Sequence, residues 1–190
     1  MTRGTLVIFA KEPVAGRVKT RLGKDIGMPA AAWWFRHQTA RLLRRVGHDP
    51  RWATVLAIAP DQAIVSRAWS PYLPRWPQGP GDLGQRMARA FRQMPNGPVI
   101  IVGADIPGIT SSRIADAFRA LREADAVIGP ATDGGYWLIG FRNAGVMPSS
   151  LFHGVRWSTR HAMEDTLTSM PGLRVARAAT LSDVDTAQDL

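Results

Sequence analysis

Three lysines and two arginines crowd one short loop near the start of the chain. Lys11, Arg17, Lys19, Arg21 and Lys24 stand against a single acid, Glu12. These are the only lysines among 24 basic residues; the rest are arginine. Lysine is a compact point charge on a flexible stem, suited to a phosphate oxygen in a small space, whereas arginine is a planar fork. The loop follows Leu6–Ala10, an apolar run with the length of a buried strand. Pro13 and Gly16 break that run into a loop. A buried strand opening into a glycine-containing cationic loop is how α/β proteins hold phosphates. The alternative is a solvated loop whose charges cluster by chance. The loop is not a Walker A motif, because Val18 precedes Lys19-Thr20, and the loop holds no G-x-G-x-x-G.

The carboxylates supply the second half of a candidate site. Asp105 lies just past Pro98-Val-Ile-Ile-Val-Gly103, the clearest buried strand. Ligands of open α/β sheets bind outside the carboxyl ends of the strands. A carboxylate there can hold Mg²⁺, which takes one or two carboxylates and completes its octahedron with waters and phosphate oxygens; a helix cap or turn is the alternative. Asp133 precedes Gly134-Gly135 and reads either as a hairpin turn or as a general base or acceptor-binding carboxylate. Asp183 and Asp185 alternate, so an extended backbone would put both on one face as further metal ligands. Gly84, in the first turn of a helix capped by Asp82, would let a ligand approach the backbone. His153, Trp157 and Ser158 form a weak cluster. There is no Ser-His-Asp signature and no histidine pair at metal spacing.

The elements that must position these groups alternate between strand and helix. A helix is expected over 30–46, with Trp33, Trp34, His37, Leu42 and Val46 on one face. Strands are expected over 52–59, 126–129, 136–141 and 173–176. Further helices are expected from Asp61 to about Trp69, from Asp82, from Thr110 to about Leu121, and over 159–167. Residues 126–141 read as a hairpin, and 70–82, with four prolines, as a surface loop. Such alternation implies an α/β sandwich with a mostly parallel sheet. At 190 residues the chain suits one domain with a substantial core. It has no cysteine, hence no disulfide or cysteine metal site. No apolar run approaches a membrane span, and no signal peptide is evident, so the expected location is the cytoplasm. The net charge is +9, and residues 1–50 hold ten basic against three acidic residues. That favours an anionic partner near the N-terminal half. Nothing in the chain interleaves aromatic and basic residues as nucleic-acid binders do, so no nucleic acid is expected.

Six ordered motifs carry a family resemblance: Phe9-Ala-Lys-Glu-Pro-Val-Ala-Gly-Arg-Val-Lys-Thr-Arg-Leu22, Gly81-Asp-Leu-Gly-Gln-Arg-Met87, Gly103-Ala-Asp-Ile-Pro107, Gly129-Pro-Ala-Thr-Asp-Gly-Gly-Tyr-Trp-Leu-Ile-Gly140, Trp157-Ser-Thr159 and Asp183-Val-Asp-Thr186. Together they resemble a bacterial family of GT-A-like proteins, catalogued as a domain of unknown function. Its members are usually named arsenosugar-biosynthesis-type or selenodomain-associated glycosyltransferases. The resemblance implies the nucleotide-diphospho-sugar transferase fold, a Rossmann-like three-layer α/β/α sandwich. It places Ala10 and Lys11 near a base or ribose, Gly16, Lys19 and Arg21 near phosphates, and Gly84 against the base, with Arg17 a further nucleotide-binding candidate. Asp105 matches the metal aspartate of that superfamily, Asp185 could complete the site, and Mg²⁺ or Mn²⁺ is the implied cofactor.

The implied activity is transfer of a sugar from a nucleotide-activated donor to a small-molecule acceptor, with Lys19 and Asp133 as catalytic groups. One departure keeps a second activity open. Glycosyltransferases of this fold commonly carry Asp-x-Asp, and here the first position is Gly103. A single aspartate followed by x-Pro, after a basic loop, is closer to nucleotidyltransferases, which use a nucleoside triphosphate and release pyrophosphate. A nucleotide-binding protein without turnover is the third reading.

Overall fold

The computed structural model describes residues 3–190. Seven strands form one sheet: β1 (Gly4–Lys11), β2 (Trp52–Ala59), β3 (Arg75–Pro77), β4 (Val99–Gly103), β5 (Ala126–Pro130), β6 (Tyr136–Phe141) and β7 (Val175–Arg177). Their spatial order is β3-β2-β1-β4-β6-β5-β7. Only β6 is antiparallel to its neighbours, β4 and β5. The other pairings are parallel. β1, β2 and β4 read as unbroken apolar runs because both faces of the sheet are covered. In β1, Leu6, Ile8 and Ala10 enter one core, and Val7 enters the other.

Five helices complete the layers: α1 (Thr20–Ile26), α2 (Met28–Val46), α3 (Leu83–Gln93), α4 (Ser111–Ala120) and α5 (Ala162–Thr168). α2 and α4 pack on one face through Phe35, Leu42, Val46, Ile114 and Ala117. α3 and α5 pack on the other through Met87, Ala88, Phe91 and Ala162. The result is the three-layer α/β/α sandwich. Asp82 caps α3 in a capping box: its side chain accepts from Gln85 N–H, and Gln85 Oε1 accepts from Asp82 N–H.

Four local expectations are corrected. The 70–82 loop contains β3, a three-residue edge strand with Pro77 at its end, where a missing donor is tolerated. The cationic loop ends in α1, which lacks a side-chain cap because its N-cap is Lys19 in the left-handed region (φ 45°). The 61–69 helix is a single 3₁₀ turn, Asp61–Val65. In α2 the buried face runs through Ala31, Ala32, Phe35, Gln38, Thr39 and Leu42. Trp33 is 64% exposed and its ring lies 3.8 Å from that of His37 at a tilt of 34°; His37 Nδ1 lies 2.8 Å from the Trp33 carbonyl. Apolar residues surround the first two turns of α2, so their spacing alone did not choose the face.

Candidate functional site

β1 and β4 are adjacent parallel strands, so the loop after β1 and the turn after β4 meet at one edge of the sheet. A cleft of about 710 Å³ opens there. Its lining includes Ala10, Lys11, Arg17, Lys19, Arg21 and Asp105. Asp133, from the β5–β6 turn, and Asp185, from the C-terminal segment, also reach it. Lys24, His153 and Asp183 stand outside this lining, as do the two candidate glycines. Gly16 forms the turn of the loop at φ 77°, where a Cβ would meet nothing within 4 Å among the described residues. Gly84 is covered by protein: a Cβ there would lie 2.6 Å from Phe152 Cβ and 2.7 Å from Trp157 Cζ2. Its missing side chain admits those two residues.

Lys19 is the hub. Its side chain is 7% exposed, and Nζ contacts Asp105 Oδ2 at 2.7 Å, Asp185 Oδ1 at 2.9 Å and Asp183 Oδ2 at 3.7 Å. Burial alone would pull its pKa down, but Asp105 and then Asp185 outweigh burial and hold it above the ordinary lysine value. Burial pushes the Asp185 carboxyl up, and Lys19 and Arg21 more than reverse this, leaving it lowered. Arg21 Nη1 donates to Asp185 Oδ2 at 2.9 Å. Asp183 behaves oppositely. Burial raises its pKa, Lys19 opposes, and Asp185, Asp105 and Asp133 add to the rise.

In the C-terminal segment Asp183 and Asp185 turn to Lys19, while Val184 between them packs with Leu22 and Ala31. Ala187 N–H donates to Asp25 Oδ2 at 3.0 Å, which ties the segment to α1. Asp133 keeps a structural duty, since its Oδ1 accepts from Gly135 N–H at 2.9 Å. Among the described residues its Oδ2 has no donor.

Sequence reasoning passed over several lining residues: Gln78, Leu83 and Arg86. Gln78 carried no signal, being one glutamine in a proline-rich stretch. Trp157 and Ser158, noted only as a weak cluster, line the cleft, whereas His153 does not.

A divalent ion fits the donor set. Asp105 and Asp185 converge on the point that the Lys19 ammonium holds. Among the described residues no group of three acidic or histidine side chains stands at metal-holding distance. The remaining ligands would therefore be waters and phosphate oxygens, as Mg²⁺ prefers.

The profile of the family described as "Uncharacterized protein conserved in bacteria (DUF2064)" matches residues 42–159. The chain belongs to the DUF2064 family. Among solved structures, this DUF2064 chain resembles a candidate nucleotide-diphospho-sugar transferase from Desulfovibrio desulfuricans G20. The two are 31% identical with a TM-score of 0.86, over 100% of this chain and 85% of that one. It also shares the fold of 4-diphosphocytidyl-2C-methyl-D-erythritol synthase from Anaerococcus prevotii DSM 20548 (10% identity, TM-score 0.60, 98% and 94% covered). A manganese complex of Rv0371c from Mycobacterium tuberculosis H37Rv is a third neighbour (17% identity, TM-score 0.58, 99% and 95% covered). No curated protein matches the chain. Among the described residues of the DUF2064 chain, no helix is long and apolar enough to cross a membrane.

Proposed function

We propose that the protein is a glycosyltransferase that uses a nucleotide-activated sugar and Mg²⁺ or Mn²⁺, and passes the sugar to a small hydroxyl acceptor. One observation carries the reading. The cations of the β1–α1 loop and the carboxylates Asp105, Asp185 and Asp133 face a single cleft at the carboxyl ends of the strands. The likeness to the Desulfovibrio protein adds support from outside the chain.

Lys11, Arg17 and Arg21 would hold the donor diphosphate. A divalent ion held by Asp105 and Asp185 would supply charge neutralisation for the leaving diphosphate. Lys19 would exchange its carboxylate contacts for a phosphate oxygen, where its point charge meets the charge that develops as the bond breaks. The acceptor oxygen bonds to the anomeric carbon, and the bond from that carbon to the phosphate oxygen breaks. The electron pair leaves with the nucleoside diphosphate, and the acceptor proton passes to Asp133 Oδ2.

Nucleotidyl transfer is the second reading, and Gly103 favours it. The strand end carries one carboxylate, Asp105, and a Cβ at 103 would lie 3.1 Å from its Oδ1. Asp133 weighs the other way, because a phosphate acceptor is already an anion and needs no base. Incubation with Mg²⁺ and panels of nucleotide sugars and nucleoside triphosphates separates the two. Metal-dependent release of nucleoside diphosphate is expected. Pyrophosphate release from a triphosphate would replace this reading with the second. Nucleotide binding with neither product would leave a binding protein without turnover.

A further inference from the structure

A second cleft, of about 820 Å³, opens between α3 and the turn over 149–154. Asp82 is the one residue that lines both clefts. Phe152 and Trp157 both close on Gly84, and they part the two spaces: Phe152 lines the second cleft and Trp157 the first. At a helical rise of about 1.5 Å per residue, Arg92 lies roughly 15 Å along α3 from Asp82. An anion held beside Arg92 is therefore out of reach of the Lys19 cluster.

The walls of this cleft are rich in donors and poor in acceptors. α3 carries Arg86, Arg89 and Arg92 and no acid, and the last two line the second cleft. Arg89 is half-buried. It donates to the carbonyls of Gln78 (2.7 Å) and Pro80 (3.1 Å) and meets no carboxylate among the described residues. Those two bonds place the guanidinium but leave its charge and most of its N–H groups uncompensated. Arg92 stands three positions on and has no hydrogen-bond or ion-pair partner among the described residues. Like charges at this helical spacing repel. His153 and Ser149 line the facing turn, and their side chains are equally unpaired among the described residues except for any ligand. The one acid, Asp82, is spent on the α3 cap, its Oδ1 accepting from Gln85 N–H at 2.8 Å. The helix end is thus closed to an anion, and the uncompensated cations lie further along.

The floor between these walls is apolar: Ala88, Leu151 and Phe152 line it, each 6–7% exposed. The turn that brings His153 to the cleft is held firmly. Phe152 adopts a left-handed backbone (φ 68°), unfavourable for a bulky residue, and its N–H donates to Ser169 Oγ at 3.0 Å. We propose that this cleft is a separate binding site for a small organic phosphate monoester. The apolar body lies on Ala88, Leu151 and Phe152, and the phosphate takes Arg92, the open N–H groups of Arg89, and His153. Two guanidinium forks match a dianion in charge and geometry. The volume is that of a small-molecule pocket and exceeds what a bare phosphate fills. The site is independent of the nucleotide cleft and of the transfer reading.

The test is ¹H–¹⁵N NMR of the whole labelled protein at about pH 7.5, where a phosphate monoester carries close to two charges. Phenyl phosphate, inorganic phosphate and benzyl alcohol are titrated in turn. The signals followed are His153, the Gln85 side-chain amide and the Arg92 side-chain N–H; signals of the β1–α1 loop report binding in the first cleft separately. Phenyl phosphate should shift the first set saturably and bind more tightly than inorganic phosphate. Benzyl alcohol should bind at least about tenfold more weakly, since it makes no charge-assisted bond. Arg92→Gln should weaken phenyl phosphate about tenfold at His153 and Gln85, and Arg92→Lys, which keeps the charge, by less. Arg92 has no partner to lose, so both variants should melt like the wild type. Shifts confined to the β1–α1 loop would overturn the proposal. So would an affinity at His153 that Arg92→Gln leaves unchanged, benzyl alcohol binding as tightly as phenyl phosphate, or no binding of phenyl phosphate at all.

Discussion

Replacing Lys19 by methionine removes one ammonium and little else. Both residues carry a Cβ, so the left-handed backbone at φ 45° is no more strained in the variant than in the wild type. The change is electrostatic. Asp105 Oδ2 at 2.7 Å and Asp185 Oδ1 at 2.9 Å lose their shared donor. Breaking a fully buried pair in this way costs about 3–5 kcal/mol. Here the carboxylate side chains keep 22–33% exposure, so water screens them. The discounted loss is about 1–2 kcal/mol, or about 2–8 °C in melting temperature for a chain of this size. The same change should strengthen divalent-ion binding, because an ion entering the wild type must displace the ammonium. Two unit charges about 4 Å apart interact by about 4 kcal/mol near a protein surface. If a third of that survives, Mn²⁺ binds the variant about tenfold more tightly. Melting in chelator and calorimetric titration of Mn²⁺ into nucleotide-free protein read these two effects. Turnover with the donor should fall about 10²–10³-fold, as when a charge-stabilising donor is lost. A variant that melts like the wild type and binds Mn²⁺ no better would show that Lys19 does not bridge the carboxylates in solution, and the reasoning would fail.

Three further substitutions probe the supports of the site. Gly84→Ala drives a Cβ into Phe152 and Trp157, so it should destabilise by about 1–3 kcal/mol and raise KM, because Trp157 lines the cleft that holds Lys19. Val184→Ala hollows a contact that is 4% exposed beside Leu22. It should cost about 1–3 kcal/mol and loosen Asp183 and Asp185, seen as weaker Mn²⁺ binding. Asp165→Asn removes the partner of Arg156, whose hydrogen bonds hold the Asp165 carboxyl far below its ordinary value of 3.8. A carboxyl with a lowered folded-state pKa stabilises above its unfolded value and stops doing so as pH falls through the folded one. The variant should therefore melt below the wild type at pH 7, with the gap closing under about pH 4. A gap that widens in acid would contradict the assignment.

The architecture was legible where one local signal sufficed. β1, β2 and β4 announce themselves because strands covered on both faces must be apolar throughout, and Asp82 declares the start of α3 through its cap. α1 and β3 did not. Seven residues without a capping side chain and three residues ending in proline have too little local preference to be read, and tertiary contacts alone hold them. For the site, the residue types were legible and the partnerships were not. Lys19 and Asp185 lie 166 positions apart, and no periodicity links a loop cation to a tail carboxylate. Gly84 shows a second limit of local reading: a glycine in a helix's first turn suggests an approaching ligand, but the sequence does not reveal that Phe152 and Trp157 fill the space its side chain would take.

That convergence has a consequence for how the site must work. Asp105, Asp183 and Asp185 gather around one ammonium that is 7% exposed, so the central cation of the cleft already has its partners within the chain. On the proposed reading, an incoming diphosphate and its metal would therefore not meet a bare cation: Asp105 and Asp185 would hold the metal and Lys19 would hold the phosphate. Each ligand alone would strand one side of the ion pair, and both together strand neither. Nucleotide and divalent ion should then bind with positive coupling, each raising the affinity of the other by the same factor, because linkage is reciprocal. Lys19→Met should weaken that coupling while strengthening the metal alone. Titrating Mn²⁺ with and without nucleoside diphosphate, in both proteins, measures all four corners of the cycle. Equal coupling in the two would mean that the ammonium takes no part in the exchange.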